Sequence, residues 1–181
     1  MKEMKHDSST LAWSAMGDEW FELAQTGESR IHFIMPNMLK FMGDVAGRKI
    51  LDLGCGDFEG TLREVVRVLK PGGRLFASVL HPCFDGNHDI GIGRQGVGID
   101  RQVVVMNYFE PKEWEAPLWG GKTPVIWRHR TMEDYVKTFL KVGLTIVDMN
   151  EPRATDEQAE ISVAMAWLQK IPLYLYWELR K

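Results

Sequence analysis

Hydrophobic and polar positions change period several times along the chain, and each change marks an element. Residues 16–25 ("MGDEWFELAQ") and 28–43 ("ESRIHFIMPNMLKFMG") carry the spacing of helices. In the second, Ile31, Met35, Met38, Leu39 and Met42 form a stripe expected to pack into a core. Pro36 forces a kink or a fresh start there, because it has no N–H and its ring crowds the preceding turn. After Gly47 the pattern changes: "KILDL" is apolar on both faces, as strands are when helices cover both sides of a parallel sheet. Parallel strands are expected near 49–53 and 74–79. Between them Leu62, Val65, Val66 and Leu69 share one face of a helix over 62–69, with Thr61 as its cap and "KPGG" as its stop. A helix over 131–142 opens with Thr131 and, three residues on, Asp134, a capping-box spacing with Asp in place of Glu or Gln. Residues 102–109 ("QVVVMNYF") add an edge or hairpin strand, and 156–168 reads as a helix burying Ile161, Ala164, Met165 and Leu168.

The chemical centre is the loop "GCGDFEG" at 54–60. Gly54 and Gly56 let the backbone turn sharply and approach a ligand with no Cβ in the way, and the helix that follows offers free N–H groups at its start. Asp52, at the strand end, and Asp57, in the loop, are acidic where a phosphate would call for neutral or basic groups, so the loop suits a cationic ligand. The same acidity weighs against a nicotinamide dinucleotide.

Taken together, "VAGRKILDLGCGDFEG" resembles the first motif of the class I S-adenosylmethionine-dependent methyltransferases, and "LREVVRVLKPGGRLFASVLHPCF" resembles their later helix and fifth strand. "HRTMEDYVKTFLKVGLTIVDMNEP" and "IPLYLYWELRK" are similar to the last helix and final antiparallel strand pair of the small-molecule-type branch. The resemblance implies a reduced Rossmann-like α/β sheet with N-terminal helices and a C-terminal antiparallel pair near 144–149 and 171–178. It carries Asp52, Gly54, Cys55, Gly56 and Asp57 over as contacts to S-adenosylmethionine.

The chain departs from that pattern in one respect. The family has further β–α units between the glycine loop and the helix before "KPGG", roughly 60–80 residues at about 30 per unit, and here the two segments touch. With those units go the acid that holds the ribose hydroxyls and the groups around the adenine, so weak or absent cofactor binding is expected. Strand, loop, short helix, Gly-Gly turn and strand still form a permitted right-handed crossover.

His81 and His129 are the candidates for acceptor chemistry. His81 lies just past the end of a strand, where open α/β sheets place ligands, and is either a base for a methyl acceptor or a loop brace. His129 either orders the start of the 131–142 helix or faces the substrate. His81, Cys83 and His88 match no zinc spacing, so no metal site is expected. "GIGRQG" at 91–96 matches a dinucleotide fingerprint but precedes "VGIDRQVVVMNYF" rather than a helix. Trp114, Trp119 and Trp127 line an acceptor pocket or cover the sheet, the latter being favoured.

Composition narrows the classes. A chain of 181 residues, 45% hydrophobic, supports a single domain: N-terminal helices over 1–46, a glycine-loop unit over 47–84, a Gly- and Trp-rich connection over 85–130, and a C-terminal helix and strand pair over 131–181. A net charge of -3 with no Lys/Arg run disfavours nucleic acid and anionic lipid. Two cysteines without a metal-type pair point to reducing cytosol, and no apolar run reaches the ~18 residues of a membrane span. Two function classes follow: a methyltransferase acting on a small molecule, or a non-catalytic relative serving as a binding or assembly module. A two-faced strand stripped of its neighbours also leads us to expect a homodimer with residues near 49–69 at the interface.

Overall fold

The computed structural model describes residues 8–50, 58–84, 93–95, 102–105, 107–117 and 121–181. Its architecture is set by the last strand, β7 (Tyr174–Arg180), six of whose seven residues are buried. A strand apolar on both faces belongs between neighbours and between layers, and β7 pairs antiparallel with β1 (Arg74–Leu80) on one side and β6 (Thr145–Asn150) on the other, giving the order β1-β7-β6. Since both flanking strands oppose β7, they run in the same direction and their carboxyl ends meet at one edge of the sheet.

Alternation along β7 sorts its side chains into two layers. Leu175, Trp177 and Leu179 face a cluster with Leu62 of α4 (Phe58–Val68) and with Tyr135 and Phe139 of α5 (Met132–Lys141). Tyr174 and Tyr176 face the other way, onto Phe33, Met165, Trp167 and Leu168. Each such buried apolar side chain contributes roughly 1.5–3 kcal/mol, so the central strand anchors both layers. Glu178, buried on the same strand, is met by Arg74 across the ladder at 2.8 Å.

The amino-terminal helices are α1 (Ser8–Ala15), α2 (Gly17–Thr26) and α3 (Met35–Met42), the last entered through a π-helical turn at Arg30–Ile34. That turn corrects the expected stripe. Phe33 is fully buried and Ile34, Met38 and Phe41 pack beside it, whereas Ile31, Met35 and Leu39 are exposed. A π turn holds an extra residue, which rotates the buried face relative to a regular helix. Pro36 has no N–H for the His32 carbonyl, and Gln158 Nε2 donates to that carbonyl at 2.6 Å instead.

The helix expected over 62–69 begins earlier, at Phe58, so Thr61 is an interior residue and not its cap. The Gly60–Thr61 junction, where the resemblance loses its middle units, therefore lies inside one continuous helix. Lys49 and Ile50 do not form strand, and Ile50 is 60% exposed; the rest of the expected 49–53 strand falls outside the described residues. All described pairings are antiparallel.

Among the described residues of the connection there are two antiparallel strand pairs. β2 (Gly93–Gln95) pairs with β3 (Gln102–Val104) within the expected 102–109 segment. β4 (Glu113–Pro117) pairs with β5 (Pro124–Arg128), a hairpin the sequence pattern did not show. In it Trp114 and Trp127 are directly opposed and stacked, 6.2 Å between centroids, and neither joins a sheet cluster, so the pair braces its own hairpin rather than covering the sheet. Glu19 of α2 accepts from the Lys122 and Thr123 amides and ties down the turn. The expected 156–168 helix is two short ones, α6 (Asp156–Ala159) and α7 (Val163–Trp167), because the Thr155 and Ser162 side chains each cap a new start. Met165 and Leu168 are buried as expected, while Ile161 and Ala164 are exposed.

Candidate functional site

The chain direction of β1, β6 and the helices that precede them gathers the candidate residues at one edge. α4 leads through a tight turn into β1, and α5 leads through Gly143 into β6, so both helices begin where the strands end. Phe58, the first described residue of the 54–60 segment, sits at that edge: its ring meets Tyr135 at 5.0 Å, and the Arg130 guanidinium lies over it at 4.9 Å from the centroid. Asp52, Gly54, Cys55, Gly56 and Asp57 themselves lie outside the described residues, as does His88.

His81 follows the last residue of β1 and is 4% exposed. Its backbone N–H donates to the Leu173 carbonyl at 2.9 Å, extending the ladder past the strand. The Cys83 amide donates to Nδ1 at 3.2 Å, which leaves the proton on Nε2, and Nε2–H donates to Glu151 Oε1 at 2.9 Å. Glu151 follows β6, so the pair spans the start of β7, a gap of about 10 Å or two strand spacings. Burial pushes the imidazole below its ordinary value, with Glu151 pulling in the opposite direction. Both ring nitrogens are thus engaged, and this geometry is that of a brace.

His129 differs. Its amide donates to the Lys112 carbonyl at 2.9 Å, continuing the β4–β5 ladder, and Nε2 lies 2.7 Å from the Tyr108 carbonyl. A carbonyl only accepts, so Nε2 carries the proton and Nδ1 presents a lone pair. Among the described residues nothing donates to Nδ1, and it is not among the buried unsatisfied atoms, so it is open to solvent. The ring stands 5.5 Å from that of Tyr108, whose hydroxyl accepts from the Met132 amide at 2.7 Å. Burial above all, with Cys83 and Asp134 adding to it, holds the Tyr108 phenol above its usual value and therefore protonated. Thr131 and Asp134 form the expected capping box at 3.1 and 2.8 Å, so α5 satisfies its own first turn.

Beside His129 is an open cleft of about 260 Å³ lined by Pro111, Lys112, Glu113, Arg128, His129 and Arg130. Arg128 is paired with Glu113 at 2.7 Å, whereas Arg130 faces no carboxylate among the described residues. Sequence reasoning passed over Arg130; "WRHR" was a signal for it only once a hairpin had brought Lys112 alongside.

This edge invites comparison with solved structures. A Listeria monocytogenes protein assigned as an S-adenosylmethionine-dependent methyltransferase superposes with a TM-score of 0.55 at 26% identity, over 69% of this chain and 55% of the other. This is the methyltransferase fold. An S-adenosylmethionine-dependent methyltransferase from Mesorhizobium loti shows the same fold, with a TM-score of 0.52 at 24% identity over 68% of this chain and 54% of that one. The chain thus spans little more than half the length of either. No family model and no curated protein sequence matches it. As a reduced, Rossmann-like relative in fold, the chain has its last strand between β1 and β6.

Glu59, the first described carboxylate of the 54–60 segment, is held by Arg63 at 2.6 Å and by Lys141 at 2.9 Å and so is committed within the α4–α5 surface. No helix among the described residues is long and apolar enough to cross a membrane.

Proposed function

We propose that the chain is a reduced S-adenosylmethionine-dependent methyltransferase of the small-molecule type whose cofactor site is incomplete within one copy. The observation that carries this reading is the likeness in fold, joined to a glycine loop that leads into α4 at the edge where the strands end. The loop residues 52–57 would hold the amino-acid end of the cofactor; the ion pairs of Glu59 leave it unavailable to the ribose. Losing two or three hydrogen bonds at about 1–3 kcal/mol each weakens a micromolar site to the millimolar range. We place the protein in the cytosol, on the strength of its two cysteines without a disulfide framework.

A second reading, a non-catalytic binding or assembly module, draws support from Ile50 and Val68, which are 60% and 52% exposed on the segment that the missing units flank in the family. Apolar surface of that kind is an association site, and a homodimer through residues near 49–69 is its simplest closed form. Titration calorimetry with S-adenosylhomocysteine, alongside sedimentation at micromolar protein, separates the readings. Weak, saturable binding that disappears in Gly56→Val supports the first, and a dimer without any binding at 10-fold above millimolar supports the second. A micromolar dissociation constant for a monomer overturns the incomplete-site argument.

A further inference from the structure

Among the described residues, His129 keeps one ring nitrogen and Arg130 its guanidinium without a hydrogen-bonding or carboxylate partner. Most of their neighbours are committed: His81 to Cys83 and Glu151, Arg128 to Glu113, Tyr108 to Met132, and Thr131 to Asp134. The Tyr108 carbonyl fixes the tautomer of His129, leaving Nδ1 as a pure acceptor open to solvent. The Arg130 guanidinium is held from below by the Phe58 ring, an arrangement that orients a cation without consuming its N–H donors. Both residues line the same cleft, whose three cations, Lys112, Arg128 and Arg130, outnumber its one carboxylate, Glu113, which pairs with Arg128.

We propose that this cleft binds a small hydroxy acid: His129 Nδ1 accepts the hydroxyl proton of the ligand in a hydrogen bond, and Arg130 takes its carboxylate. An acceptor that cannot donate selects an O–H, and a planar fork of donors selects a carboxylate. The single requirement placed on the ligand is that it carry both groups. Phe58 lies under Arg130, so the cleft is next to the start of α4. This deepens the methyltransferase reading by naming a class of acceptor, and binding itself needs no cofactor.

The probe is 4-hydroxybenzoate, with benzoate and phenol as its two halves, titrated at pH 8 into the isotopically labelled full chain while the imidazole nitrogens are followed by NMR. The expected result is an Nε2–H tautomer for His129 before titration and a saturable shift of its Nδ1 with 4-hydroxybenzoate. Benzoate and phenol bind at least about 5-fold more weakly, near 1 kcal/mol at RT of about 0.59 kcal/mol. Arg130→Gln weakens 4-hydroxybenzoate by a similar factor and leaves phenol unchanged. Equal affinity for all three probes, an Nδ1–H tautomer, or no response at His129 overturns the proposal. The probe comparison uses the unaltered chain, so an unfolded variant does not blunt it. Should S-adenosylhomocysteine fail to bind while the probe binds, the methyltransferase reading falls and the cleft stands; the reverse result removes the cleft alone.

Discussion

Replacing His81 by Leu tests the brace. The substitution keeps an apolar side chain of similar size at a position 4% exposed, but it removes the acceptor for the Cys83 amide and the donor to Glu151. A part-buried amide left without a partner costs about 1–3 kcal/mol. Glu151, whose side chain is 46% exposed, returns to water, so the loss of its charged hydrogen bond counts for less, up to about 1 kcal/mol. The expected destabilisation is therefore about 1–4 kcal/mol, a large share of the stability of a domain of this size. Glu151→Gln keeps a hydrogen-bond acceptor and costs under about 1 kcal/mol at neutral pH. The same geometry fixes a pH dependence. Burial holds His81 below its ordinary value of 6.5, so the unfolded chain takes up the proton first as pH falls. The contribution is whole above about pH 6.5 and is lost as pH drops from there to the lower folded value. Glu151→Gln removes the influence that raises the His81 pKa and so deepens the loss at low pH. Urea unfolding followed by the fluorescence of the buried Trp167 and Trp177, at pH 5 and pH 7.5, measures both effects. If His81→Leu matches the unaltered chain at pH 7.5 and shows the same slope with pH, the bracing argument is wrong.

Two further substitutions probe the frame around the site. Leu175→Ala, at a fully buried position on β7 facing Leu62 and Phe139, is expected to cost about 2–5 kcal/mol, read as a lower urea midpoint at unchanged slope. Thr131→Ala removes the acceptor for the Asp134 amide and is expected to cost about 1 kcal/mol in the same assay, while Thr131→Ser, which keeps the hydroxyl, costs a fraction of that.

The sequence by itself determined what depends on neighbours in the chain. The Thr131 box needs only residues three apart, and it forms as the spacing predicts. The final strand was legible through the resemblance of "IPLYLYWELRK" to the last strand of the methyltransferase family, and its six buried residues put it in the middle of a sheet. The phase of the second amino-terminal helix was not legible in the same way: a π turn, closed by Gln158 from 126 residues away, rotates its buried face off the regular stripe. Nor was the division of labour between the two histidines. Both directly follow a strand end, His81 before a turn and His129 before a helix, and neither setting says which ring nitrogens are engaged. What separates them is which atoms arrive from elsewhere: a carboxylate 70 residues on leaves His81 with no free nitrogen, and a carbonyl 21 residues back leaves His129 with one. A side chain's chemistry is set by the partners that exclude water from it, and only tertiary contact supplies partners at that separation.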